Sequence, residues 1–543
     1  MNWDMETDLL CVGSGAGGMA AAIVAAEQGA RALVVEKDNV VGGVTGLSSG
    51  QCWLGGSHLE EAAGLDDSRE ETLRYLEHLS QGHAEPHLRE VFVDKGREVI
   101  EYLTETIGLR LQVVRDLPDY YYPAVEGSRA EGRYLEIEPF PAGELGDWAA
   151  RCMVTPYGEG YAYVTSNEFN AMKMGRGEPV WDCLARHLER DERCAGAGLM
   201  AAMVKAALDR GVEILTESPA TRLIHENGKV TGAIVATPEG EKRVKARGVV
   251  LATSGYDWNR KMVSSFEALP ESGTMCPPTV EGDHLVMAAE LGAIPLPSRA
   301  PAQTPVFIGY KVPGETVYGH TSFRMWLPGH PHSMIVNRSG SRFCDDSFYP
   351  DVATKVGRFD GQEDGMVNWP AWLVFDENFR EKYGILPAFP GEPVPEGMAT
   401  TAGSIEELAR LTGIDADGLA ATVARFNGFC ATGIDEDFGR GTVPWGRLMT
   451  GDPRMGENQN LGPLEKPPYY AVRLERVVMG VPTAGLEVDD KARVINVQGE
   501  PIPGLFAAGN AATWRDIGGG YNSGIANTRG LVQGYLAARH VAG

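Results

Sequence analysis

Three glycines, Gly13, Gly15 and Gly18, stand in the run GSGAGG at the spacing G-x-G-x-x-G, and an acid, Glu36, follows them. Residues of these types at this spacing point to dinucleotide chemistry. Gly13 makes a tight turn, Gly15 lets the backbone approach a pyrophosphate, and Gly18 lets helix and strand pack closely. Glu36, about 20 residues on, accepts from a ribose hydroxyl, and the helix N-terminus faces the phosphates. Ala16, Gly17 and Lys37 complete this set of expected cofactor positions.

Three elements must hold these groups. Residues 7–12 (TDLLCV) read as a short buried strand, the Ala-rich run after Gly15 as a helix capped near Gly29, and residues 31–35 as a second strand. The next stretch, VGGVTGLSSGQCWLGG, is similar to the segment after the first βαβ unit of FAD-dependent flavoproteins. There Gly43 and Gly50 let the backbone run close to a flavin, and the hydroxyls of Thr45 and Ser49 can reach its ring nitrogens. The expected cofactor is therefore FAD.

Further along, a helix is predicted from about residue 197, a strand over 212–215, a hairpin turning at 226–229, and a strand over 249–252. That strand runs into Thr253-Ser254-Gly255, close to the small-residue turn of FAD enzymes, and a helix follows over 282–293. Residues 294–464 change character, being rich in Pro, Gly, Trp and His, with helices over 405–429. After Pro467 a hairpin returns, then a strand ending in AAGN and a last helix over 527–540. The expected fold class is α/β: a Rossmann-like FAD-binding domain in two parts, 1–293 and 465–543, interrupted by an inserted α+β catalytic domain, 294–464. Ala220, Thr253, Gly255, Gly509, Asn510, Ser523 and Ile525 join the expected cofactor positions.

Composition narrows the partners. With 49 basic and 74 acidic residues the net charge is −25, which repels phosphate, so no nucleic acid is expected to bind. Eight Cys lie scattered with no C-x-x-C pair, so zinc ribbons and iron–sulfur runs are not expected and no metal is. No apolar stretch approaches the ~20 residues of a transmembrane span. Singly placed cysteines and an acidic N-terminus suit a soluble cytoplasmic protein.

In order along nearly the whole chain, GSGAGG, GGVT, ATSG, GDHLVMAAELGA, VNRSGSRFCDD, RFNGFC, PPYYAV and GLFAAGN resemble the fumarate reductase/3-ketosteroid dehydrogenase flavoproteins. Dicarboxylate reductases of this family commonly carry a His beside a T-x-G-G stretch. Here the corresponding VPTAG, from Val481 to Gly485, has none. A tethering His near the G-G-x-T region is also missing, His58 lying beyond it, so the resemblance implies noncovalent FAD. The ketosteroid dehydrogenase branch is the nearer one. It implies functional tyrosines at Tyr120 and Tyr121 in PDYYYP, at Tyr349 in RFCDDSFY, and at Tyr521 in GGGYNSG; the pair Gly132-Arg133 follows the first of these motifs. Tyr521-x-Ser523 resembles the 4-dehydrogenase members more than the 1-dehydrogenase ones.

The resemblance implies a C=C bond made beside the ketone of a cyclic substrate, a 3-oxosteroid or a smaller oxo-cyclohexane compound. The α-proton leaves to a base and a hydride passes to flavin N5. Tyr521 is the expected donor to the ketone oxygen, with Ser523 or the Gly524 amide as second donor and the last helix adding its positive end. Tyr349 is the expected base, supported by Tyr120 or Tyr121; a phenol, ordinarily near pKa ~10, must act as tyrosinate or through a relay. No haem or second dinucleotide motif is visible, so electrons would leave to an external acceptor, a quinone or other carrier. The alternative within the family is an ene-reductase acting on a fumarate- or urocanate-like acid, for which His320, His330, His332 and Arg324 could contact a carboxylate. A noncatalytic flavin-binding module is a third reading.

Overall fold

A computed structural model describes residues 2–157, 160–298 and 307–543. The remaining positions, including 299–306 within the expected insertion, lie outside the described residues. The site is organised by β1 (Leu9–Val12), α1 (Ala16–Glu27), β2 (Ala32–Val35), α2 (Ala195–Asp209), β3 (Glu213–Leu215), β4 (Gly248–Leu251), β5 (Arg493–Ile495), β6 (Pro501–Ala507) and α3 (Ile525–Ala542). The strands form one sheet in the order β5-β6-β4-β1-β2-β3, parallel except for the edge strand β5. Every residue of β1, β2 and β4 is buried, as expected of parallel strands covered on both faces. From β1 the chain passes to β2 on one side and later to β4 on the other. The C-terminal end of β1 is thus a switch point, where an open α/β sheet leaves a crevice.

α1 packs against this sheet and, at close range, against α3. A Cβ on Gly534 of α3 would sit 2.3 Å from the Gly17 carbonyl oxygen, and one on Gly18 would sit 1.9 Å from the Gly13 oxygen. Only glycine permits both approaches, and together they bring the N-termini of α1 and α3 to the same crevice. The hairpin expected around 226–229 forms with Glu226 opposite Lys229, joining Ala220–Glu226 to Lys229–Thr237.

Of three further four-stranded sheets among the described residues, two include strands of the expected insertion. One orders Gly273–Thr274, Glu475–Val478, Phe307–Val317 and His320–Met325; the other orders Ser333–Asn337, Ala371–Asp376, Tyr469–Arg473 and Thr400–Ala402. Strands on both sides of residues 464/465 therefore share hydrogen bonds, because Glu475–Val478 pairs with Phe307–Val317 and Tyr469–Arg473 with Ala371–Asp376. The helical stretch 405–429 is two helices, Ile405–Thr412 and Ala416–Thr432. The first is ended by left-handed Gly413, and the second is capped by the Asp415 side chain on the Gly418 amide.

Candidate functional site

The turn after β1 opens a groove with about 1180 Å³ of empty space, part of it open to solvent. Gly13, Gly15, Ala16, Gly17, Glu36, Lys37, Gly43, Thr45, Ser49, Ala220, Thr253, Gly509, Asn510 and Ser523 all line it. The other four expected cofactor positions do not. Gly18 faces back against Gly13; Gly50 lies against the start of α2, where a Cβ would fall 2.3 Å from the Ala195 carbonyl carbon. Gly255 abuts the Asp257 carboxylate and Pro482, and Ile525 is fully buried in an aromatic cluster with Trp53 and Trp514. These four are spacers behind the groove, a role that residue type alone does not distinguish from contact.

The groove has the chemistry of an FAD site. A Cβ on Gly15 would meet nothing nearer than Thr45 Oγ1 at 3.7 Å, and one on Gly43 nothing nearer than 4.0 Å, so both project into open space where a phosphate can approach. α1 and α3 begin after Gly15 and Gly524, neither with a side-chain cap, leaving backbone N–H groups for an anionic ligand. Glu36 accepts from the Ser14 amide at 2.9 Å and hydroxyl at 2.6 Å, and from the Asp38 amide at 2.9 Å. These bonds orient its carboxylate, while burial pushes its pKa up. Asn510 gives its amide to the Gly480 carbonyl, and its buried Oδ1 has no protein partner. Lys37 is paired with Glu281 at 2.5 Å and Asp283 at 3.0 Å, so its charge is already balanced. Gly15→Val should weaken FAD binding roughly 10- to 100-fold, since overpacking typically costs ~1–3 kcal/mol. Equilibrium dialysis of the variant against FAD checks this.

A pocket of about 1360 Å³ adjoins the groove and shares Ser49, Met479, Val481, Tyr521 and Ser523 with it. Tyr120, Tyr349 and Tyr521 meet on its wall. Tyr349 Oη and Tyr120 Oη are 3.3 Å apart; the Tyr120 ring centroid lies 5.6 Å from that of Tyr349 and 6.3 Å from that of Tyr521. Burial drives the Tyr120 and Tyr349 phenols well above their ordinary pKa, while the pairing of the two hydroxyls and Ser523 pull that of Tyr120 partly back. Neither phenol is therefore a standing tyrosinate near neutral pH, so the geometry favours a relay.

Local structure explains how three distant tyrosines converge. Tyr349 opens the helix Tyr349–Val356 and stacks on Phe307 at 5.0 Å, with Trp445 at 5.5 Å. The Asp345-Asp346 pair before it is structural. Asp346 is buried between Arg342 at 3.3 Å and Arg440 at 2.9 Å, and Asp345 accepts from the Ser347 amide and hydroxyl. The loop bearing Tyr120 is held by Asn522, whose side-chain oxygen accepts from the Tyr120 amide at 3.1 Å and the Tyr75 hydroxyl at 2.9 Å. Asn522 also donates to Tyr134 Oη at 2.8 Å. Arg133, fully buried, reaches Asp119 in the same loop at 3.0 Å and Asp67 at 2.7 Å.

Three expectations need correction. Tyr121 does not line the pocket; it packs edge-on against Phe348 at 5.6 Å, and burial pushes its phenol to about 12. Ser523 is not available to the ketone oxygen, because its hydroxyl donates to Gln51 Oε1 at 3.1 Å. Of the two groups named as second donor, the Gly524 amide at the start of α3 remains. His320, His330, His332 and Arg324 do not converge. His320 lies against Trp258; His330 is buried beside Trp326 and Tyr383, which drives its pKa to about 3; His332 bonds the Pro463 carbonyl and Lys382. Arg324 is turned to Glu315 at 2.8 Å and Ser322 at 2.6 Å.

Sequence reasoning missed Asn522 and Gln51. Their signal was position, since Asn522 sits between Tyr521 and Ser523, and Gln51 directly follows Ser49-Gly50. Among the described lining residues of the pocket none is charged, and apolar side chains, Leu47, Leu117, Met275, Met325 and Met449 among them, share its remaining walls with Thr155, Tyr157 and Gln51. No cluster of His, Cys, Asp or Glu suited to a metal occurs among the described residues, and no described helix is long and apolar enough to cross a membrane.

A Gly-cradled crevice continuous with a tyrosine-lined pocket is the arrangement of a flavin-dependent oxidoreductase. The chain belongs to the FAD binding domain family, whose profile matches residues 8–528. It is an FAD-dependent oxidoreductase of the ketosteroid dehydrogenase-like kind. It is 34% identical to the 4-oxocyclohexanecarboxylate 2-dehydrogenase of Sinomonas cyclohexanicum, over 99% of this chain and 93% of that one. It is 32% identical to the 3-oxosteroid 1-dehydrogenase of Mycobacterium tuberculosis, over 99% and 98%. The crystal structure of 3-ketosteroid delta1-dehydrogenase from Sterolibacterium denitrificans with 1,4-androstadiene-3,17-dione superposes with a TM-score of 0.89 at 28% identity, covering 99% of both chains. The 3-ketosteroid-delta4-(5alpha)-dehydrogenase from Rhodococcus jostii gives 0.68 at 22% and is similar in fold alone. The local likeness of Tyr521-x-Ser523 to the 4-dehydrogenases thus does not extend to the whole chain.

Proposed function

We propose that the protein desaturates a neutral cyclic ketone next to its carbonyl, a 3-oxosteroid or an oxo-cyclohexane compound. The observation that carries this reading is the meeting of Tyr120, Tyr349 and Tyr521 on one uncharged pocket wall that runs into the FAD groove. Tyr521 and the Gly524 amide hold the ketone oxygen and take up negative charge as the α-carbon loses its proton. Tyr349 receives that proton as its phenolate, its own proton having left by way of Tyr120 to bulk water in the same turnover, so no buried phenolate need stand in the resting protein. The apolar walls hold the ring flat and exclude water. Bound FAD supplies the hydride acceptor.

FAD is held noncovalently in this reading, because the described lining of the groove contains neither His nor Cys. Residues 1–293 and 465–543 form the FAD-binding part and 294–464 the catalytic cover, tied together by the strands Glu475–Val478 and Tyr469–Arg473, which pair with Phe307–Val317 and Ala371–Asp376. An external acceptor, a quinone or similar carrier, reoxidises the cofactor. Eight unpaired cysteines favour a reducing compartment such as the cytoplasm. Anaerobic titration tests the proposal. A 3-oxosteroid or an oxo-cyclohexane should bleach the visible flavin absorbance in stoichiometric amount; a flavin left oxidised by both classes defeats it.

A further inference from the structure

A buried carboxylate that the desaturation chemistry does not use stands behind the segment shared by groove and pocket. Met479 and Val481 line both spaces, and Gly480 between them lines the groove. The reacting end of bound FAD must come to this junction if it is to meet a molecule in the pocket. The Gly480 peptide is gripped at both its polar atoms. Its carbonyl accepts from the Asn510 side chain, and its N–H donates to Asp257 Oδ1 at 2.7 Å. The same Asp257 oxygen accepts from the Cys276 thiol at 3.3 Å. Asp257 is buried. Burial pushes its pKa up to about 6, and the groups that pull it back are backbone amides and the Cys276 thiol rather than a cation. Glu267, also buried, holds the next part of the segment by accepting from the Thr483 amide at 2.8 Å. Arg260, Lys311 and His320 line a separate cavity that Asp257 also borders, but Lys311 is paired with Glu475 at 3.2 Å and His320 lies against Trp258.

An anion in this place acts on the cofactor at a distance. FAD takes up two electrons and one proton near neutral pH and so gains a negative charge, which a neighbouring carboxylate opposes. Two unit charges ~10 Å apart at an effective dielectric of ~20 shift an equilibrium by about tenfold, and burial spares them most of the screening by salt. We propose that Asp257 is a positioning residue that holds the Gly480 peptide at the flavin junction, and that its charge lowers the reduction potential of bound FAD so that the reduced cofactor yields its electrons readily to an external acceptor such as a quinone. The inference rests on FAD and substrate meeting at this junction, as the desaturation reading has them, but not on which substrate the pocket takes. Removing the charge favours the reduced cofactor, so reduction by substrate gains and reoxidation by the acceptor loses. A merely structural loss would slow both.

The test is the midpoint potential of the holoprotein at pH 8, read anaerobically by equilibration with a reference dye and without substrate. Asp257→Asn keeps an oxygen for the Gly480 amide and the Cys276 thiol but removes the charge. It should shift the equilibrium about tenfold towards reduced flavin, an upward move of about 30 mV for two electrons. Its reduced flavin should also be reoxidised by a soluble quinone more slowly than that of the wild type in stopped flow. Asp257→Glu keeps the charge and should stay within about twofold of the wild-type equilibrium. If Asp257→Asn does not retain FAD, Asp257→Ser, which keeps a neutral oxygen near Gly480, is read in the same way. An equilibrium within twofold of wild type in the neutral variant, a downward shift, an equal shift in the Asn and Glu variants, or loss of FAD from both neutral variants overturns the inference. Failure of the wild type to be reduced by any cyclic ketone overturns the desaturation reading instead, and the potentials, taken without substrate, still decide this one.

Discussion

Tyr349→Phe should slow flavin reduction by a cyclic ketone by roughly 100-fold or more, with FAD content and oxidised spectrum unchanged. General-base assistance is worth about 10²–10⁴ in rate, and the Tyr349 hydroxyl lies on the pocket wall with Tyr120 Oη at 3.3 Å to carry its proton onward to bulk water. The substitution removes one oxygen from a ring whose packing comes from its faces and edges: Phe307 stacked at 5.0 Å, Trp445 at 5.5 Å. The fold should therefore tolerate it, and the loss should fall on the α-proton step. Reduction measured with α-deuterated ketone checks the assignment. An unchanged rate would move the base elsewhere.

Tyr521→Phe should cost at least about tenfold and up to about 10³-fold in turnover, the range for removing one fixed donor to a developing oxyanion. Its ring is held by Trp514 at 6.2 Å and Tyr120 at 6.3 Å, so the change is again confined to one hydroxyl. The variant also separates two chemistries. A ketone desaturase depends on a donor to the carbonyl oxygen, whereas a reductase of unsaturated acids depends on cations around a carboxylate and should be nearly indifferent. Steady-state assays of the variant with a cyclic ketone and with fumarate or urocanate make the comparison.

The cofactor groove was legible because its constraints are local. Gly13, Gly15 and Glu36 must occupy fixed places on a strand, a turn and a second strand, and fourteen of the expected positions line the groove. The four that do not, Gly18, Gly50, Gly255 and Ile525, carry the same small or apolar character for packing, and sequence holds no mark that separates contact from support. The pocket was less legible. Tyr120, Tyr349 and Tyr521 came from motif resemblance, and the same reasoning placed Tyr121 with them, because adjacent tyrosines in a loop cannot be told apart until the backbone sends one inward and the other against Phe348. The Ser523–Gln51 bond and the Asn522 clamp join residues hundreds of positions apart, and no periodicity encodes such pairs. The His-rich stretch failed for the opposite reason: proximity along the chain suggested a cluster, but His320 lies on one strand and His330 and His332 follow in the loop beyond it, so they point to different neighbours.

The glycine seam between the first and last long helices has a consequence for biosynthesis. Gly17 lies against Gly534, so the wall that α3 contributes does not exist until residues more than 500 positions further on have been made. The dinucleotide turn waits for them before its chamber closes, and long-range closure of this kind is slow. Nascent chains should thus remain empty of flavin until α3 has been made and has docked, so emergence of the glycine-rich turn does not start the clock for maturation.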